Sequence, residues 1–371
     1  MKRLILLSVL VLGIGGLLAS GAASSGATTS KPVAAMHQTS TKAAHAGKFL
    51  ACMVTDTGGI DDRSFNASSW QGVQQAVAGR PSKIAGKYLQ SSSQSDYIPN
   101  INTFIGQKCG IIVTVGFLMG TDTQKAAVKN PKQKFAIVDY SYSPAVKNID
   151  ALVFNTVQDG FLGGYLAAGM SKTGVVATFG GIQLPTVTIY MDGYWDGVQY
   201  YNQKHHTKVQ VLGWSEKTQH GSFTGDFTDQ GKGQRLTKIF IAEKADIIFP
   251  VAGNVGLGAA AAVKSADQSG GHVNMLWVDT DGCISAAKYC PYFITSVQKG
   301  IQASVKASIF AAQGGTFKGG NYVGTLKNGG VALAPFHQWN SKVPASLKKE
   351  LAQVQAGIIS GMIATPTKSP V

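Results

Sequence analysis

From Phe49 onward the chain alternates between two hydrophobic rhythms. Near-continuous apolar runs occupy 49–55, 84–90, 110–116, 134–140 and 149–155, then 175–181, 208–214, 245–253, 274–281 and 292–299. Unbroken runs of this kind suit strands buried on both faces of a parallel sheet. Between them, apolar residues recur at spacings of three and four. Trp70, Val73 and Val77 form one stripe, and Met191, Tyr194, Val198 and Tyr201 form another. Ala259 to Val263 make a third, just after a glycine loop. Strand and helix periods alternating over most of the chain predict an α/β protein with parallel sheets. Ten runs are too many for one small doubly wound sheet, so two sheets are expected.

Composition supports this and narrows the partners. At 371 residues, with 44% hydrophobic and only 14% charged, the chain is long enough for two domains with separate cores. The formal net charge of +14 raises the question of nucleic acid. The lysines, however, are scattered, without a dense basic run or an aromatic ladder, so no nucleic-acid partner is expected. The charge reads as a solvated surface with non-specific attraction to anionic envelopes or lipid headgroups. Met1-Lys2-Arg3, an apolar stretch from Leu4 to Leu18 and small residues at 19–23 have the layout of a secretory signal peptide, 1–23. Residues 24–47, rich in Ser, Thr, Ala, Gly and Lys, read as a flexible tether. No Cys follows the small residues to mark lipid attachment. The mature protein is therefore expected outside the cytoplasmic membrane: periplasmic, at the cell surface or secreted.

Export gives the four cysteines a meaning, because an even number in an oxidising compartment suggests disulfides. Cys283 and Cys290 could close a small loop. Cys52 and Cys109 each open a strand-like run and would pair if those strands are neighbours. No Cys or His pair has zinc-ligand spacing, and His205-His206 reads as a surface turn, so no metal is expected.

Candidate chemistry gathers at the ends of the apolar runs. Thr55 to Asn66 reads Thr-Asp-Thr-Gly-Gly-Ile-Asp-Asp-Arg-Ser-Phe-Asn, a glycine turn crowded with polar groups between a strand and a helix. In open α/β sheets, ligands bind at such a crevice beyond the carboxyl ends of the strands. The same stretch could equally be a polar turn with a helix cap at Ser64 or Asn66. Gly253 to Gly258 also follows a strand and opens a helix, but its G-x-x-G-x-G spacing is not the dinucleotide fingerprint. There is no G-x-S-x-G elbow, and the paired carboxylates Asp61-Asp62 and Asp279/Asp281 lack an evident nucleophile partner. Phe65 and Phe227 sit among Asp, Ser, Thr and Gly, where a core aromatic is not expected; two such rings across a crevice could stack a planar ligand.

These residues carry a resemblance. Asp56 to Asn66, with Trp70 and Gly72 after it, resembles the start of the basic membrane protein family, the substrate-binding proteins of ABC importers that include purine-nucleoside receptor lipoproteins. Val113 to Phe117, Lys134 to Asp139, Asn155 to Gly169, Gly180-Gly181, Asp246 to Gly253 and Thr295 to Lys299 extend the likeness from about 50 to 330. The resemblance implies a type I periplasmic-binding-protein fold: two doubly wound parallel-sheet domains joined by three crossovers, with the ligand in the cleft. The lobes would be 48–155 plus 282–325 and 156–281 plus 326–365.

By the same resemblance, Phe65 and Phe227 would stack the two faces of a purine and Asn66 would bond the base edge. Asp56, Gly253, Asp281 and Lys299 would hold the ribose and its surroundings. The run after Asp139 is Tyr140-Ser141-Tyr142-Ser143, where the family often has a further acid. The implied function is capture of a nucleoside by hinge closure and delivery to an ABC permease and its ATPase. The protein would be a monomer, without cofactor or catalysis. Two other readings stay open: an enzyme acting on nucleosides or sugars with a carboxylate base, and a surface sensor without a transporter.

Overall fold

The apolar runs become strands of two sheets in the computed structural model, which describes residues 47–369. The expected signal peptide 1–23, and the 24–47 tether apart from its last residue, lie outside the described residues. The first half supplies β1 (Phe49–Val54), α1 (Phe65–Gly79), β2 (Ile84–Leu89), α2 (Tyr97–Gly106), β3 (Ile111–Val115), α3 (Gly120–Lys129), β4 (Phe135–Val138) and β5 (Ile149–Phe154). A second series follows: α4 (Val157–Met170), β6 (Val175–Gly180), α5 (Pro185–His205), β7 (Gln210–Leu212) and a small hairpin of β8 (Trp214–Ser215) and β9 (His220–Gly221). It continues through α6 (Gln230–Ala242), β10 (Ile247–Val251), α7 (Val255–Gln268), β11 (Asn274–Asp279), α8 (Gly282–Ser285) and β12 (Phe293–Lys299). The chain then revisits both sheets with α9 (Ile301–Gly314), β13 (Gly320–Gly324), β14 (Val331–Leu333) and α10 (Ala345–Ser360).

One sheet runs β2-β1-β3-β4-β5-β13 and the other β7-β6-β10-β11-β12-β14. All neighbours are parallel except β12 and β14. The two sheets share one winding, so β1, β3 and β4 correspond to β6, β10 and β11. In both, the strand order reverses after the first pair. A crevice opens at that reversal, beyond the carboxyl ends of the strands. This is the expected type I periplasmic-binding-protein architecture.

Three crossovers join the lobes, at residues 155–156, at Gly300 and at 325–330. Of the span 282–325 expected in the first lobe, 282–299 needs correcting, because β12 pairs with β11 and β14 in the second sheet, whereas β13 pairs with β5 in the first. Only four residues of helix lie in α8, so the sequence there lacks the long amphipathic stretch that marks other strand-to-strand connections. The crossing strands are tied together. Asn155 N donates to Gly324 O at 2.8 Å and Gly300 N to Gly330 O at 2.8 Å. A Cβ on Gly330 would lie 2.2 Å from Gly324 Cα, so only glycine allows this approach.

Helices α4 and α5 pack backbone to backbone by the same device. A Cβ on Gly164 would fall 1.9 Å from Tyr194 O, and one on Gly197 would fall 2.0 Å from Phe161 O. The C-terminal residues return to α5, where buried Asp192 accepts from Thr367 Oγ1 at 2.8 Å and from Trp214 Nε1 at 3.0 Å. Disulfides join Cys52, within β1, to Cys109, just before the neighbouring β3, and Cys283 to Cys290 around α8. Among the described residues no helix is long and apolar enough to cross a membrane.

Gly164→Ala should lower stability by roughly 1–3 kcal/mol through overpacking, read as a drop in denaturation midpoint. Gly314→Ala, at a helix position where a Cβ meets nothing within 4 Å, should leave stability level or slightly raise it.

Candidate functional site

A cavity of about 60 Å³ occupies the crevice. The first lobe contributes Asp56, Phe65 and Asn66 after β1, Phe117 after β3 and Asp139 after β4. The second contributes Tyr190 from α5, Phe227, Gly253 after β10, Asp279 after β11 and Lys299 at the end of β12. Every strand-derived group sits at a carboxyl end, as the winding requires.

Local hydrogen bonding explains why the stretch after β1 folds as it does. Ser64 holds the N-cap position of α1 without a side-chain capping bond, and Asp62 serves the amides instead: its Oδ1 accepts from Ser64 N and Ala67 N at 3.0 Å, and its Oδ2 from Asn66 N at 2.7 Å. Freed from capping, Ser64 Oγ crosses the cleft and donates to Asp279 Oδ2 at 2.9 Å and Val278 O at 3.2 Å. Trp277 Nε1 donates back across it to Arg63 O at 3.3 Å. Asp56 Oδ1 accepts from Gly58 N at 2.9 Å and Asn66 Nδ2 at 2.8 Å. The Asn66 amide is thereby locked, and its Oδ1 is buried without a partner on the cavity wall. An unpaired buried acceptor costs free energy until a donor arrives.

The polar centre is Lys299. Its Nζ lies 2.5 Å from Asp139 Oδ2 and 3.5 Å from Asp279 Oδ1, so one cation joins the carboxylates of both lobes. It also stands 5.1 Å from the Phe65 ring centroid and 5.0 Å from that of Tyr190. Tyr190 donates its hydroxyl to Asp279 Oδ1 at 3.2 Å. Burial alone would lower the lysine pKa, but Asp139 and Asp279 outweigh it and hold the ammonium above its usual value. Burial pushes Asp139 up to about 6 against the pull of Lys299. It pushes Asp62 up to about 7 despite three backbone donors, and raises Asp56 as well. Beneath them Asp159, in the first turn of α4, is fully buried with neither oxygen partnered, and burial lifts its carboxyl well above the ordinary range. An acid so placed is held neutral.

Asp139 and Asp279 occupy equivalent positions in the two sheets and share a left-handed backbone, each at φ 65°. Aspartate tolerates that region better than most residues. Strained conformations of this kind cluster at functional sites. On the apolar side, Phe65 opens α1 and Phe227 precedes α6, one ring from each lobe. Phe227 lies against Gly181, where a Cβ would come within 2.3 Å of its ring.

Six sequence-nominated residues thus line one cavity: Asp56, Phe65, Asn66, Phe227, Gly253 and Lys299. Asp281 does not. Its Oδ1 caps α8 through Cys283 N at 3.0 Å, and its Oδ2 lies 2.7 Å from His337 Nε2. Asp279, two residues earlier, faces the cavity instead, because the chain turns away after the strand. Among the described residues, Asp281, Cys283 and His337 come close enough to share a metal ion. The Cys283 sulfur is already bonded to Cys290, which leaves an ordinary Asp–His pair. Sequence reasoning also passed over Asp139 and Tyr190 as site residues. Asp139 and Asp279 had a usable signal, since both end an apolar strand with Val-Asp at equivalent places in the two halves. Tyr190 had none.

Lys299→Met should destabilise the protein by about 3–5 kcal/mol at neutral pH, since it strands two buried carboxylates. The sign of its pH dependence follows from linkage. Asp139 already binds its proton more tightly folded than unfolded, and losing the ammonium raises that pKa further. The variant should therefore lose more stability between pH 5 and 8 than the wild type does, in urea unfolding at each pH. Parallel profiles would remove Lys299 from the centre of the cluster.

The chain is similar to known proteins over most of its length. The nucleoside-binding protein BmpA of an ABC transporter in Lactococcus lactis is 31% identical over 86% of this chain and 89% of its own. Basic membrane protein A of Borreliella burgdorferi is 28% identical over 84% of this chain and 86% of its own. An ABC-transporter solute-binding protein from Aeropyrum pernix superposes with a TM-score of 0.77 at 24% identity, covering 86% and 94% of the two chains, and so shares the fold. The family model for PnrA-like ABC transporter substrate-binding proteins matches residues 49–368, and the chain belongs to that family.

Proposed function

We propose that the protein captures a nucleoside, most favourably a purine nucleoside, by closing its two lobes around it, and hands it to a membrane permease with a partner ATPase. The observation that carries this reading is one aromatic ring from each lobe, Phe65 and Phe227, on a cavity whose polar wall consists mostly of acceptors. A planar base would lie between the rings, its N–H edge meeting the unpartnered Asn66 Oδ1. Ribose hydroxyls would donate to Asp56 and Asp279, with Lys299 donating to a sugar oxygen. Asp279 takes the place first given to Asp281. Neither lobe alone surrounds such a ligand, so the closed state gains contacts that the open state lacks. The name of the Lactococcus relative supports the same ligand class. The protein would act as a monomer outside the cytoplasmic membrane, as binding proteins of ABC transporters do.

The wall also argues against a phosphorylated ligand. Among the described lining residues, Lys299 is the one cation, and it is already engaged by two carboxylates. A phosphate would add like charge to a buried acidic surface.

The enzyme alternative, with Asp56, Asp62 or Asp281 as general base, finds Asp281 outside the cavity lining and Asp56 and Asp62 engaged by local donors.

Thermal shift against adenosine, inosine, guanosine, cytidine and uridine tests the proposal. A ligand at 100-fold its Kd should add about 2.7 kcal/mol. At least one purine nucleoside should raise the melting point and its monophosphate should not; a flat response across the panel would leave only the fold. Phe227→Ala should weaken the binder by roughly 1–3 kcal/mol. Free base released from inosine would turn the reading towards catalysis.

A further inference from the structure

A second chamber of about 160 Å³ adjoins the first and shares Phe117, Asp139 and Thr186 with it. Beyond that doorway its walls are Tyr140, Ser141, Val153, Phe154 and Ile189, a mainly apolar and aromatic lining drawn from both lobes. Tyr140 is braced by Phe117 at 5.1 Å and Tyr142 at 4.9 Å between ring centroids. Its ring lies on α3, where a Cβ on Gly120 would come within 2.2 Å. The wall is therefore built and not collapsed. The other large opening of the cleft has a different character, lined by Asp61, Arg63, Gln90, Gln230, Asn254 and Lys288 among others. Water suits that polar mouth. An apolar chamber continuous with a ligand cavity gains free energy when an apolar group replaces its water.

We infer that this annex receives an apolar substituent carried by the ligand on an exocyclic amine, so that the protein accepts N6-substituted purine nucleosides. The inference rests on the nucleoside reading of the main cavity. The base-edge chemistry selects the attachment. A secondary exocyclic amine keeps one N–H for the unpartnered Asn66 Oδ1 while its substituent continues past Phe117 and Thr186 into the annex. An ether or a tertiary amine at the same place offers no donor and would leave that acceptor unpaired. Tyr140 and Phe154 then offer ring surface to an aryl or prenyl group.

Isothermal titration with adenosine and N6-benzyladenosine tests this on the whole protein. The benzyl compound should bind wild type within about threefold of adenosine or more tightly, because apolar surface is buried without a new clash. Ile189→Trp fills the annex from a position outside the main cavity. It should weaken the benzyl compound by about tenfold or more while adenosine stays within about threefold, in line with pocket-filling discrimination. Should that buried substitution disturb folding, Tyr140→Ala removes a half-buried wall instead. It should weaken the benzyl compound by about threefold to tenfold, with adenosine unchanged. A benzyl compound about thirtyfold weaker than adenosine on wild type would overturn the annex and leave the nucleoside reading standing. So would variants that affect both ligands equally. If neither compound binds, the annex inference falls, while the nucleoside reading is decided separately by the inosine and guanosine arms of the thermal-shift panel.

Discussion

One buried ammonium organises the cleft. Lys299 leaves the second sheet at a crossover and reaches Asp139 on the first and Asp279 on its own. Coulomb attraction in a low-dielectric site is strong, yet the desolvation of three charges nearly cancels it. Such a cluster holds the lobes in register more than it stabilises them. Ser64 and Trp277 add direct hydrogen bonds across the same gap. A ligand entering there competes with contacts the protein makes to itself, so affinity is the difference between two closed arrangements.

Around this centre the fold supplies stiffness where the site needs it. The α4–α5 contact is backbone on backbone, and α5 presents Tyr190 to Asp279. Asp159 is carried by α4 beneath the same cluster. The crossovers, in contrast, are short, and two of the three carry glycine, Gly300 and Gly329-Gly330, where the crossing strands approach closely.

Much of the architecture was legible because buried parallel strands cannot hide their apolar runs. The lobe boundary was not, because a strand's composition does not say which sheet it joins; β12 looks like any other run until its register with β11 is known. At the site, Phe65 and Phe227 stood out because each aromatic sits among Asp, Ser, Thr and Gly, where a core ring is not expected. The Asp281 expectation failed for a local reason. A turn written Asp-Thr-Asp-Gly offers two equivalent carboxylates, and only the backbone at Asp279, with its positive φ, decides which one faces inward. Ser64 misled in the opposite direction: a serine before a helix suggests a cap, but Asp62 satisfies the amides and releases the hydroxyl for the other lobe.

The burial of acids has an effect on the exterior. Asp56, Asp62, Asp139, Asp159, Asp192, Asp246, Asp279 and Asp281 are all withdrawn from solvent, whereas Lys299 is the one buried lysine among the described residues. The outer surface is consequently more positive than the formal charge of +14 suggests, while the cleft is negative. The two fields act as opposing filters. Anions accumulate around the molecule within a Debye length and are turned away at the cavity, whereas an uncharged solute meets neither barrier. Rising salt should crowd or clear the anions outside and leave the selection within untouched.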